Sequence, residues 1–229
     1  MQPSTHMNEI RRVSTGRAVN ASRANAVNSD PLIQSMHLMG ATMAYPRDTE
    51  IFGENEPADY LYKVLSGTVR TYKILSDGRR QVGGFYLPGD IFGLEFSDEH
   101  TLSAEAISDA KVLVVKSSAL SALAARDPSV AQQLFALTGR ELHRVQDRIL
   151  LLIKNARERV ASFLLEMAGR ASENNTIELP MSRQDIADYL GLTIETVSRT
   201  LTSLETASAI EVSASSRRIV LRNRAALAA

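Results

Sequence analysis

Apolar and polar positions change rhythm along the chain, and each rhythm predicts a different kind of element. From about residue 41 to 116 the grammar is that of short strands, with Leu61–Leu65 and Thr68–Leu75 carrying β-type alternation. Ser66-Gly67, Ser76-Asp77-Gly78 and Pro88-Gly89-Asp90 punctuate them. Asp-Gly supplies the positive φ of a tight turn, so residues 76–78 predict a hairpin. Lys111 and Lys116 bracket a buried-looking Val-Leu-Val-Val run. Several short strands between turns predict a small antiparallel barrel or roll. Ahead of it, Pro31 opens an amphipathic stretch, Leu32, Ile33, Met36, Leu38 and Met39, expected to dock on the roll.

After Ser117 the period becomes helical. Leu120, Leu123 and Ala124 form one short segment that stops near Asp127-Pro128. Leu134, Thr138, Leu142, Val145, Ile149, Leu152 and Ala156 then recur at spacings of three and four, predicting a helix of roughly 25 residues. Leu137, Leu150, Leu151 and Ile153 form a second stripe beside the first. One face must be buried on the roll and the other elsewhere. A symmetric partner helix satisfies this, placing Leu134, Leu142, Val145, Ile149 and Leu152 at a dimer seam. The alternative is a single helix inside a monomer core.

The last 75 residues alternate compactly: a helix from Glu158 to Ala168, an extended stretch from Thr176 to Leu179, two helices, and two strands around Ser213–Ser216 that close the chain. Ser182 followed by Asp185 resembles a capping box, so a helix begins near Arg183, with Ile186, Ala187 and Leu190 inside. Gly191 ends it in the left-handed conformation. Thr193 caps a second helix with inner face Ile194, Val197, Leu201 and Leu204. This is the grammar of a helix-turn-helix, winged by the closing strands. The fold class read from the pattern is α+β: an N-terminal antiparallel β-roll (31–127), a long dimerisation helix (128–156) and a C-terminal winged helix-turn-helix (157–229). Residues 1–30, rich in Ser, Asn, Ala and Arg and without a period, read as a flexible arm.

The second helix separates an ordinary helical hairpin from a DNA reader. Glu195, Thr196, Ser198, Arg199 and Thr202 face away from its apolar stripe. Arg199 has the fork that pairs with guanine O6 and N7, and Glu195 accepts from cytosine N4. Ser198 is short enough to let the helix approach a groove. Ser182, Arg183, Thr193, Thr196, Thr202, Arg217 and Arg218 surround that face where phosphate contacts are needed.

Composition narrows the alternatives. Lys+Arg and Asp+Glu tie at 26 each in 229 residues, so attraction to DNA rests on local placement. Cysteine is absent, which excludes disulfides, a thiolate nucleophile, Cys-ligated zinc and Cys-held iron–sulfur clusters. The longest apolar run, Ile149–Ile153, is far short of a membrane span, and no signal peptide is evident. The expectation is a cytoplasmic chain with no membrane contact, no catalytic residue, no metal and no cofactor.

Asp185-Ile186-Ala187-Asp188-Tyr189-Leu190-Gly191-Leu192-Thr193 followed by Glu195-Thr196-Val197-Ser198-Arg199 resembles the DNA-binding signature of the CRP/FNR superfamily of bacterial transcription regulators. The Glu-x-x-Ser-Arg form is similar to that of the FNR and FixK branches. Ser66-Gly67-Thr68-Val69-Arg70 and Pro88-Gly89-Asp90-Ile91-Phe92-Gly93 match the same family's roll. The resemblance implies a homodimer that binds a palindrome with TTGA-type half-sites near promoters, with RNA polymerase as a partner and low-oxygen gene control as the setting. Cyclic-nucleotide-binding members carry a Glu after the Phe-Gly and an Arg-Ser pair for the phosphate. Here Leu94 follows Gly93, and Leu102-Ser103-Ala104 stands in place of Arg-Ser-Ala. The resemblance therefore implies a FixK-type regulator without a bound effector. A haem- or other small-ligand-responsive regulator and a cupin-like enzyme are the alternatives; His6, His37, His100 and His143 are scattered, and only His100 lies in the roll.

Overall fold

The computed structural model describes residues 31–95, 97–151, 153–170, 175–213 and 217–228. Residues 1–30 (read as an arm), Leu152 and residues 214–216 (part of the expected closing strands) lie outside them. Eight strands build the first half: β1 (Ala41–Tyr45), β2 (Thr49–Phe52), β3 (Tyr60–Ser66), β4 (Val69–Ile74), β5 (Arg80–Tyr86), β6 (Ile91–Phe92), β7 (Ser103–Ala106) and β8 (Ala110–Lys116). They form two antiparallel four-stranded sheets, ordered β1-β8-β3-β6 and β2-β7-β4-β5. The predicted turns hold: Gly78, between β4 and β5, has φ 81°, and Gly67, between β3 and β4, has φ 78°. A Cβ at Gly67 would lie 2.2 Å from the Asp109 carbonyl oxygen, so the close chain approach also requires glycine there.

Phe52, Tyr62, Val64, Val69, Tyr86, Phe92 and Val112 fill the space between the sheets. The unbroken apolar run in β8 has a simple cause. Val112 points into the roll, whereas Leu113 and Val115 face outward beneath α1 (Pro31–Met39) and α2 (Ser117–Ala124). Both faces of that strand are covered, so the alternation vanishes. Leu32 and Met36 of α1 dock as the pattern predicts, but Leu38 is 87% exposed. It stands on the solvent side of a nine-residue helix whose inner face is already filled.

The long helix is α3 (Pro128–Leu151). Val130 and Leu137 are buried against the roll, and Leu134 packs partly buried onto the cluster beneath α1. That corrects one position of the expected outer stripe. Phe135, 80% exposed, takes the place given to Leu134, and Leu142, Val145 and Ile149 continue it in solvent. Of the second stripe, Leu137 is buried and Leu151 packs on the C-terminal core, whereas Leu150 and Ile153 are exposed.

A reciprocal cap between Asn155 and Glu158 opens α4 (Ala156–Arg170): the Glu158 N–H donates to Asn155 Oδ1 and the Asn155 N–H to Glu158 Oε2, both at 3.0 Å. Then come β9 (Thr176–Glu178), α5 (Arg183–Leu190), α6 (Ile194–Thr206), β10 (Ile210–Val212) and β11 (Arg218–Leu221). The sheet order is β10-β11-β9. A short helix, α7 (Arg224–Ala228), comes after the strands expected to close the chain, its Leu227 buried beside α4. The C-terminal core continues into the roll through Val82, Phe85 and Ile107. No described helix is long and apolar enough to cross a membrane.

Candidate nucleic-acid interface

The two helices at the centre of the C-terminal half are set by local chemistry. Ser182 is extended (φ −73°, ψ 166°), and its Oγ accepts from the Asp185 N–H at 3.1 Å. The Asp185 carboxylate accepts from the Ser182 N–H at 2.9 Å, which completes the capping box. Gly191 ends α5 at φ 63°. Thr193 caps α6, its Oγ1 accepting from the Thr196 N–H at 3.2 Å. Ala187 and Val197 are fully buried where the helices cross. Val197, Leu201 and Leu204 form the inner face of α6, while Ile194, also expected inside, is 37% exposed at the first turn.

Glu195, Ser198, Arg199 and Thr202 lie together on the exposed side of α6. Its own backbone N–H and the Thr193 hydroxyl hold the Glu195 carboxyl below its ordinary value, with Arg199 adding a smaller effect. Among the described residues Arg199 takes part in no ion pair within 4.0 Å, so its fork is open to a ligand. Arg217 and Arg218 are exposed at the wing. Four other expected contacts are differently placed. Ser182 donates its hydroxyl proton to Asp185 at 2.8 Å, and Thr202 donates to the Ser198 carbonyl at 3.2 Å. Arg183 is half-buried; burial lowers its pKa against the pull of Glu205, and its Nη1 is buried without a partner. Thr196 is half-covered in a cleft between the helix turn and the β4–β5 hairpin.

That hairpin holds residues the pattern did not single out. Arg70 Nη1 donates to Asp185 Oδ1 at 2.5 Å, and its Nη2 to Glu105 Oε2 at 2.7 Å. Arg80 Nη2 donates to the same Asp185 oxygen at 2.7 Å, and its Nε to Asp188 Oδ2 at 2.8 Å. Gln81 donates to the Asp188 carbonyl, and Arg148 of α3 donates to the carbonyls of Val82 and Gly83 while lying 4.7 Å over the Tyr189 ring. Nothing local predicts these pairs, because the partners come from distant parts of the chain.

In the roll, a cavity of about 180 Å³ is lined by Thr71, Tyr86, Leu94, Glu95, Thr101, Leu102 and Glu141 among others. Among the described residues its lining has two carboxylates and no Lys or Arg. His100 is buried and stacked on Phe52 with ring centroids 3.6 Å apart, and burial lowers its pKa. His37 and His143 are exposed. Among the described residues no group of three or more His, Cys, Asp or Glu side chains could hold a metal ion.

Residues 42–127 match the cyclic nucleotide-binding domain, and residues 158–229 match the Crp-like helix-turn-helix domain. The nitrogen fixation regulation protein FixK of Azorhizobium caulinodans is 49% identical over 200 residues, covering 85% of this chain and 80% of that protein. This chain belongs to the CRP/FNR family. Its similarity falls on the FixK-type branch. FixK of Bradyrhizobium diazoefficiens is 41% identical over 76% of each chain. The structure of FixK2 from Bradyrhizobium japonicum superposes with a TM-score of 0.79 at 53% identity, over 82% of this chain and 96% of that one. The CRP/FNR protein described here is accordingly a DNA-binding transcription regulator and not an enzyme.

Proposed function

We propose that this regulator acts as a homodimer on a palindromic operator with TTGA-type half-sites, near promoters where it meets RNA polymerase, in low-oxygen gene control and without a bound effector. The observation that carries the reading is the open face of α6. Glu195 and Arg199 stand one turn apart, exposed, with no competing ion pair on Arg199 among the described residues. In a TTGA half-site, Arg199 reads guanine and Glu195 its paired cytosine, while Ser198 admits the helix to the groove. Arg217 and Arg218 supply the wing's phosphate contacts, with Arg183, Thr193 and Thr196 behind them.

The dimer reading is supported by Phe135, Leu142, Val145 and Ile149. These residues repeat at heptad spacing and stay exposed in the single chain. A two-fold seam there spaces two recognition helices by about one DNA turn, ~34–36 Å. The effector-free reading is supported by the roll cavity, where Leu94 and Leu102 cannot pair with a phosphate and Glu141 already holds Arg144.

Fluorescence anisotropy on a duplex carrying two TTGA-type half-sites, with no added ligand, tests both readings. Saturable specific binding is expected, and Leu142→Glu or Ile149→Glu should yield monomers in sedimentation that lose operator affinity while the roll stays folded. A requirement for added cyclic nucleotide would overturn the effector-free reading. A monomeric wild type at micromolar concentration would overturn the dimer.

A further inference from the structure

We infer that Arg70 and Arg80 are positioning residues for DNA binding: through Asp185 and Asp188 they latch the first helix of the helix-turn-helix to the roll of the same subunit. The inference rests on the effector-free reading and deepens it. A regulator with no ligand to organise its DNA-binding half needs that half oriented by the protein itself.

Three features make the contact a latch. Arg70 and Asp185 are 8% and 5% exposed and share their charges with Glu105 and Arg80, so removing one partner unbalances a buried ionic network. The Asp185 carboxylate serves two ends at once: Oδ2 closes the capping box of α5, while Oδ1 receives both Arg70 and Arg80. Helix start and domain docking therefore share one group. Finally, α6 packs on α5 through Ala187 and Val197, so fixing α5 on the roll also fixes the direction of the face that carries Arg199. Phe85 against Tyr189 (5.2 Å between centroids) and Phe163 (6.3 Å) adds an apolar seat beneath the ion pairs. Releasing the arginines lowers the fraction of molecules with correctly directed α6, and apparent affinity falls by that fraction.

The sign of one substitution separates positioning from simple electrostatics. Asp188→Asn removes a negative charge close to the DNA-binding helix, so charge alone predicts tighter binding. A latch predicts weaker binding, because Arg80 loses a partner.

The test uses the 229-residue chain, whose lack of cysteine allows two introduced thiols, Lys111→Cys on the roll and Thr206→Cys on α6, to carry spin labels. Labelled subunits are diluted into unlabelled ones. Arg80→Gln, Asp188→Asn and the double variant should broaden a narrow roll-to-α6 distance distribution measured without DNA. Each should weaken operator binding by about tenfold, the double no more than Arg80→Gln alone, which already removes both carboxylate contacts. Arg70→Gln should do the same if the fold survives; the two milder variants keep the test decisive if it does not. An unchanged distance distribution, tighter binding by Asp188→Asn, or a loss of affinity that only follows the unfolded fraction in circular dichroism would each overturn the latch. Should the wild type bind DNA only after a ligand is added, the effector-free reading falls. The latch would still be judged by the distances measured without DNA.

Discussion

Helices α5 and α6 are neighbours of similar build, each capped at its N-terminus by a hydroxyl and each apolar on one side. They differ in what has become of their polar sides. On α5, Asp185 and Asp188 are paired with Arg70 and Arg80 of the roll. On α6, Glu195, Ser198, Arg199 and Thr202 face solvent. A polar side chain whose hydrogen-bonding capacity is used within the protein holds structure together; one whose capacity is open can recognise something else. Under the proposed function the comparison makes α5 scaffold and α6 the recognition helix; the outward residues of α6 mark it in the sequence, whereas the pairing of Asp185 and Asp188 with the roll shows only in the structure.

Substitutions should therefore divide cleanly between stability and recognition. The largest effect is expected at Asp185. Asp185→Ala removes a buried carboxylate from two guanidinium groups and opens a capping box, and breaking a buried ion pair by one partner costs about 3–5 kcal/mol. Chemical denaturation should show that loss whether or not DNA is present. A variant as stable as the wild type would show that the polar side of α5 is not structural.

Arg199→Ala comes next, with the opposite signature. Stability should stay within about 0.5 kcal/mol, as for an exposed side chain. Binding should lose ~1–3 kcal/mol at the G·C position of the half-site and relax preference there. Equal loss on every sequence would make Arg199 a phosphate contact and remove base reading from this face.

The smallest effects sharpen the division further. Glu195→Ala should lose less affinity than Arg199→Ala but more selectivity, because a carboxylate near phosphates is repulsive wherever it lacks a base donor. Arg217→Ala should weaken binding evenly and flatten the salt dependence by about one counterion per subunit. An affinity matrix of these variants against half-sites changed one base at a time measures both. Uniform losses from Glu195→Ala, or sequence-dependent losses from Arg217→Ala, would reverse the two assignments.

Much of the recognition unit is legible because its signals are local. Ser182 and Asp185 are three residues apart, Gly191 ends the helix they begin, and Thr193 starts the next. The Asp-Gly turn between β4 and β5 is legible for the same reason. The long helix is legible as a helix, but its rotation is not. Leu134 and Phe135 are adjacent, and their assignment to inner and outer faces depends on how α1 and the roll press against α3. Ile194 and Leu38 fail in the same way, as apolar residues in the right period but at the edge of a buried face.

Sequence by itself determined the order of roll, long helix and winged helix-turn-helix, the capping of α5 and α6, and the face of α6 that carries Glu195 and Arg199. Periodicity, caps and turns act over a few residues, so neighbouring positions suffice to specify them. Only the tertiary structure decided which charges were already taken. Arg70 meets Asp185 across 115 residues of chain, and an arginine in a strand carries no mark of a distant carboxylate. Ion pairing depends on which surfaces packing brings within a few ångströms, and that is a property of the whole fold.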